Sequence, residues 1–143
     1  MAYYLLIPVE TNFSANLQEK MKTMKIAVTA QGNNLDAKVD PRFGRAKFFI
    51  VLDSQNGGFE VKDNSVNLNA AQGAGIQSGR NVVELGVQCL ITGNVGPKAF
   101  SVLQANGIKI YIASDCTVKE AVEQFKAGTL KTAEDASVKG HWA

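Results

Sequence analysis

The fold class this sequence predicts is a mixed α/β sheet of about five strands carrying three helices, in the order β-β-β-α-β-α-β-α. Three observations predict it. Runs rich in β-branched and aromatic residues come first, at 25–29, 47–52 and 59–62. Two short apolar runs, 87–91 and 108–112, then alternate with three stretches of helical period. Each helical stretch is followed by a glycine: Gly86, Gly107 and Gly128.

The elements justify themselves in chain order. Asn56-Gly57-Gly58 supplies the positive-φ residues of a tight hairpin, so 59–62 should return antiparallel to 47–52. In the first helix Ile76, Gly79 and Val83 share a face, and Gly79 lets that helix lie close on the sheet. Pro97 suits the first turn of the second helix, whose buried stripe is Ala99, Phe100 and Leu103. Thr117 and Glu120 have the spacing of a capping box ahead of Val118, Ala121, Val122 and Phe125. The organisation expected is one domain over 24–130, preceded by a leader or extension of unknown role at 1–23 and followed by a mobile tail at 131–143. The apolar run at 3–9 is interrupted by Pro8, lacks a basic start and is short of the roughly 20 residues a bilayer span needs.

Composition excludes several function classes. A formal net charge of +2 is too small to predict a nucleic-acid or membrane surface. The excess is nevertheless local: residues 36–47 carry Lys38, Arg42, Arg45 and Lys47 against Asp36 and Asp40. Two cysteines, Cys89 and Cys116, make no disulfide framework and no paired metal knuckle, which fits a reducing cytoplasm. The only histidine, His141, is in the tail, so neither a Cys/His pair nor a serine triad can be assembled around it. The first strand has no carboxylate on which to build a two-metal nuclease centre.

If the first, fourth and fifth strands are parallel, their carboxyl ends bring together loops 30–34, 92–97 and 113–117, where an open α/β sheet binds ligands. Two helices then aim their N-termini at the same place, offering unpaired N–H groups to an anion. Candidate contacts are Asn33, Gly93, Asn94, Gly96 and Ser114, with Gly93 and Gly96 allowing close approach to the backbone. Asn and Gly are also the ordinary way to leave a strand, and the convergence of three such loops is what favours a ligand. Arg42, Phe43 and Arg45 lie in Asp40-Pro41-Arg42-Phe43-Gly44-Arg45, where two guanidiniums suit a soft or oxygen-rich anion. The competing reading is a solvated turn anchored by Phe43. Gly73 and Gly75 open the first helix, but the segment lacks the preceding strand and the Lys-Ser/Thr ending of a phosphate loop. Cys89, inside an apolar strand, reads as inert core. Cys116 sits before a helix N-terminus that would lower its thiol pKa, making it a possible soft metal ligand, although one thiol cannot hold a four-ligand site alone.

Four motifs in order, 39–46 (Val-Asp-Pro-Arg-Phe-Gly-Arg-Ala), 73–76 (Gly-Ala-Gly-Ile), 90–100 (Leu-Ile-Thr-Gly-Asn-Val-Gly-Pro-Lys-Ala-Phe) and 107–111 (Gly-Ile-Lys-Ile-Tyr), resemble the dinitrogenase iron–molybdenum cofactor biosynthesis domain. The resemblance covers residues 24 to about 130 and is nearest the short stand-alone members, which include the orange proteins that hold a molybdenum–copper sulfide cluster. It implies a ribonuclease-H-like fold without nuclease chemistry. It also implies binding of a molybdenum-containing metal–sulfur cluster (Mo–Cu–S or Mo–Fe–S), with a cluster-receiving or cluster-donating protein as partner. Many relatives have histidine where Arg42 stands and a histidine-rich stretch at 69–75; this chain has neither, which favours a cluster held by charge and backbone N–H groups. The alternatives are a metal-free regulatory or interaction module of the same fold and, least favoured, a small enzyme acting on a phosphorylated metabolite.

Overall fold

A computed structural model describes residues 24–53, 58–64 and 74–133. The strands are β1 (Lys25–Ala30), β2 (Phe48–Asp53), β3 (Phe59–Asp63), β4 (Cys89–Thr92), β5 (Lys109–Ile112) and β6 (Lys131–Thr132). The helices are α1 (Ala74–Glu84), α2 (Pro97–Ala105) and α3 (Val118–Ala127), with one 3-10 turn at Phe43–Arg45. The sheet order is β3-β2-β1-β4-β5-β6. β1 pairs antiparallel with β2 and parallel with β4, and β4 pairs parallel with β5. This is the expected mixed, ribonuclease-H-like arrangement, with one strand more than expected. Lys131 and Thr132 add antiparallel to Ile112 and Tyr111, so the fold continues past Leu130 and a tail beginning at Lys131 is corrected. Two residues are too few to show a hydrophobic period, which is why the strand is silent in the sequence. The 54–57 turn, the 1–23 segment and residues 134–143 lie outside the described residues.

The two-residue side-chain period of β1 divides the core. Ile26, Val28 and Ala30 face α3 and pack with Ile50, Ile91, Cys116, Val118 and Ala121. Ala27 faces the other way, with Phe49, Leu90, Val82, Ala99 and Leu103, under α1 and α2. β1 is therefore covered on both faces, which accounts for its unbroken apolar run. α1 and α2 meet through small residues: a Cβ on Gly79 would lie 3.2 Å from Val102 Cγ1, and one on Gly75 would lie 3.5 Å from Ala99 Cβ. Gly79 thus serves helix-on-helix packing, a correction to its expected contact with the sheet. Gly86, Gly107 and Gly128 all have φ of 73–75°, the left-handed turn by which each helix stops.

α3 begins with the predicted capping box. Glu120 N–H donates to Thr117 Oγ1 at 3.1 Å, and Thr117 N–H donates to Glu120 Oε1 at 2.9 Å. Losing the hydroxyl in Thr117→Ala should lower stability by about 1 kcal/mol in chemical denaturation. The backbone and hydroxyl of Thr117 hold the Glu120 carboxyl below its ordinary pKa. Protonation then opposes folding, so the Glu120 contribution is present above the unfolded carboxylate pKa and lost as pH falls through the lower, folded one. Denaturation midpoints of wild type and Glu120→Ala should accordingly differ at neutral pH and converge in acid.

Candidate functional site

The carboxyl ends of β1, β4 and β5 lie side by side, and one segment of the chain is stitched across all three. After Ala30 the backbone makes a short excursion, closed where Gln31 N–H donates to Lys38 O at 2.9 Å. It then returns as a strap. Val39 pairs antiparallel with Ala30, Lys38 with Thr117, and Arg42 pairs parallel with Asn94. Asp40 N–H donates to Thr29 O at the end of β1, and Val39 N–H to Cys116 O in the loop after β5, both at 2.9 Å. Phe43 N–H donates to Asn94 O in the loop after β4 at 3.1 Å. The crevice beyond the strand ends is thus roofed by the protein's own backbone.

Buried groups fix the strap from below. The Thr29 hydroxyl donates to the Asp40 carbonyl at 2.8 Å and is hydrogen-bonded to the Thr92 hydroxyl at 2.9 Å. The Asp40 carboxylate accepts from Arg42 N–H at 3.0 Å, setting the turn through Pro41. Pro41 sits on Gly93 so closely that a Cβ there would be 2.6 Å from Pro41 Cα. At the far end Phe43, 2% exposed, packs against Phe49 with ring centroids 5.8 Å apart. Asn64, also 2% exposed, donates from Nδ2 to Ala46 O at 2.9 Å and lies 3.2 Å from Ser78 Oγ of α1.

The same geometry decides which donors face outward. Arg45 N–H donates to Arg42 O at 3.1 Å, closing the 3-10 turn. Phe43 of the turn enters the core, whereas Arg42, in extended backbone just before the turn, and Arg45, its last residue, do not. Both arginines, Asn94 and Lys98 are exposed. Nearby, α2 starts at Gly96, which has no side chain with which to cap it.

The model of the family described as dinitrogenase iron-molybdenum cofactor matches residues 24–128. The chain belongs to that family. An uncharacterised protein of Methanocaldococcus jannaschii is 34% identical over 119 residues, 80% of this chain and 96% of its own. The apo form of the orange protein from Desulfovibrio gigas is 42% identical, with 81% of this chain and 98% of that chain covered at a TM-score of 0.78. A candidate NifB protein from Thermotoga, of the DUF35 family, is 35% identical, with 82% and 100% covered at a TM-score of 0.72. This dinitrogenase iron–molybdenum cofactor family chain therefore has stand-alone relatives of nearly its own domain length.

Within the family fold, the sequence-derived site residues separate. Arg42 is bridged to Asn94 at the end of the strap, with the exposed Arg45 three residues further along and the half-buried Gly96 two residues beyond Asn94. Asn33 and Ser114 are exposed on neighbouring loops. Gly73 lies outside the described residues. Three expectations are corrected. Phe43 is a core anchor. Gly93 gives its missing side-chain volume to Pro41, so the close approach it allows is internal, while Gly75 lies at ordinary contact distance from Ala99. The N-terminus of α3 offers no unpaired N–H groups: Val118 and Lys119 donate to Ala37 O and Leu35 O at 2.8 and 2.9 Å, beside the Thr117–Glu120 pair. Glu120 and Asp115 lie at that end together with Lys38, which acts on both Cys116 and Glu120.

Cys116 differs from its expected chemistry. It is 4% exposed among apolar neighbours. Burial pushes its thiol pKa up, Glu120 and Asp115 add to the rise, and Lys38 opposes it. Burial likewise raises Cys89, against the lowering effect of Lys109. Among the described residues no group of three or more His, Cys, Asp or Glu gathers to hold a metal ion, and no helix is long and apolar enough to cross a membrane. Sequence reasoning missed Thr29, Thr92 and Asn64 as the supports of the strap. The available signal was a threonine closing each of two otherwise apolar strands.

Two outcomes follow from these contacts. Gly93→Ala should cost about 1–3 kcal/mol in denaturation, because the clash is with backbone that cannot rotate away. A thiol-specific chromogenic disulfide should label Cys89 and Cys116 slowly in native protein at neutral pH and rapidly in denaturant; fast native labelling of Cys116 would contradict its burial.

Proposed function

We propose that the chain binds and carries a preformed, multiply charged molybdenum-containing metal–sulfur cluster, without catalysing a reaction on it. The observation that carries this reading is the rigid strap, whose short turn bears two exposed arginines, Arg42 and Arg45, with Arg42 bridged through its backbone to Asn94, two residues before the start of α2 at Gly96. Two guanidiniums on a fixed backbone suit an anion of several charges, and their diffuse charge suits sulfur as well as oxygen. The donor set fits an assembled cluster better than bare metal ions. The cysteines are buried thiols, so charge, N–H groups and packing are what remain to hold the cargo. Membership of the dinitrogenase iron–molybdenum cofactor family and likeness to the orange protein support molybdenum as a component. A carrier of this kind needs a protein that donates or receives the cluster, and two free thiols fit a reducing cytoplasm.

Purified chain titrated with tetrathiomolybdate and copper should become coloured through sulfide-to-metal charge transfer. Arg42→Gln/Arg45→Gln should bind at least about ten-fold more weakly, each ten-fold step being roughly 1.4 kcal/mol, with a shallower salt dependence. Cys116→Ser should keep most of the colour. Equal affinity and equal salt dependence in wild type and the double arginine variant would remove the strap from the site.

A further inference from the structure

β3 ends the sheet, and among the described residues no strand pairs with its outer side. Its register with β2 identifies the groups on that side. Asn64 N–H donates to Lys47 O and Asp53 N–H to Gly58 O, which marks Gly58, Glu60, Lys62 and Asn64 as the positions bonded to β2. The N–H and C=O of Phe59 and Val61 therefore point away from the sheet. Phe59 is 42% exposed and the one large apolar side chain exposed among the described residues. It lies on the same face as Val61, whereas Glu60 and Lys62 lie on the opposite face, 3.7 Å apart as an exposed ion pair that would exchange partners on association, with side chains 74% and 50% exposed.

Charged residues on an edge usually prevent pairing. Here their order does the reverse. Consider two copies of β3 related by a two-fold axis through Val61. Val61 meets its own copy as a mutually hydrogen-bonded pair, and each Glu60 lies opposite the second copy's Lys62. These charged positions fall in the closer, non-hydrogen-bonded class, with Cα atoms about 4.5 Å apart. On the other face each Phe59 lies opposite the second copy's Asp63 and diagonal to its Val61, so the two Val61 side chains are flanked by the two rings. The two adjacent two-fold registers fail: one sets Glu60 against Glu60 and the other Lys62 against Lys62. Charge thus favours the Val61-centred register over both of its neighbours.

We propose that the outer edge of β3 is a self-association surface, through which a second copy of this chain pairs antiparallel about Val61. The edge is short, so the dimer belongs to the weak class that buries less than about 1,000 Å² and forms only at elevated concentration. Its charge pairs make it sensitive to salt. The inference is independent of the anion site.

The test is sedimentation equilibrium of the full chain between about 1 μM and about 1 mM, a range that spans weak affinities. Wild type should move from monomer towards dimer, and less so in high salt. Glu60→Lys and Lys62→Glu, each of which places like charges opposite one another, should each weaken association by about ten-fold or more. Mixing those two variants should restore it as a heterodimer, because every position 60 then faces an opposite charge at position 62. The double swap Glu60→Lys/Lys62→Glu should recover the homodimer, which separates lost pairing from lost folding. A wild-type chain that stays monomeric throughout overturns the proposal and leaves the edge to an extended segment of another protein. A dimer indifferent to the single swaps, or a mixture that does not recover, overturns it equally.

Discussion

The contact between Pro41 and Gly93 is the constraint on which the upper half of the molecule depends. A backbone carrying any side chain at position 93 would hold the strap away from β4. The bonds from Asp40 to Thr29 and from Phe43 to Asn94 would lengthen with it, since their 2.9 and 3.1 Å distances require the strap to lie flat. Those bonds in turn place Phe43 in the core and the two arginines outside it. Close packing of Pro41 on one glycine thus fixes the turn that carries Arg42 and Arg45, one and four residues further along the chain.

This arrangement changes what the strand ends can do. In an open α/β sheet they form a crevice for ligands. Here that space holds the chain's own residues 38–43, and the hydroxyls of Thr29 and Thr92 are spent on internal bonds. Any ligand is met one layer further out. The two helix N-termini that flank the crevice also part company. α3 is closed by Leu35, Ala37 and its capping box, while α2 begins at a bare glycine. A symmetric anion site over both helices is therefore not available to this sequence.

Much of the fold was legible because it rests on local rules. Apolar runs, three terminal glycines and one capping box carry their meaning within a few residues, and each element they predict is present. The basic turn at 42–45 was legible in the same way. What failed were inferences about distant partners. The motif of Cys116 suggests an activated thiol, but its burial is produced by β1 and α3 packing together. The role of Gly93 cannot be read from its own loop, because Pro41 lies fifty-two positions earlier. The β6 strand is two residues long and exists through β5 alone. Nothing in Asn64 announces that it ties Ala46 to α1, since each of those partners comes from a different part of the chain.

The burial of Phe43 has one more consequence, for how the proposed binding surface could diversify. The aromatic ring, Asp40 and Gly93 belong to the same packed body as the sheet. Substitutions there would loosen the fold, whereas a change in the exposed Arg42 side chain leaves that packing in place. Scaffold and recognition are interleaved residue by residue along a single short turn, yet they are open to change on different terms: variation in what is bound can accumulate at the outward positions while the inward ones stay fixed by mechanics.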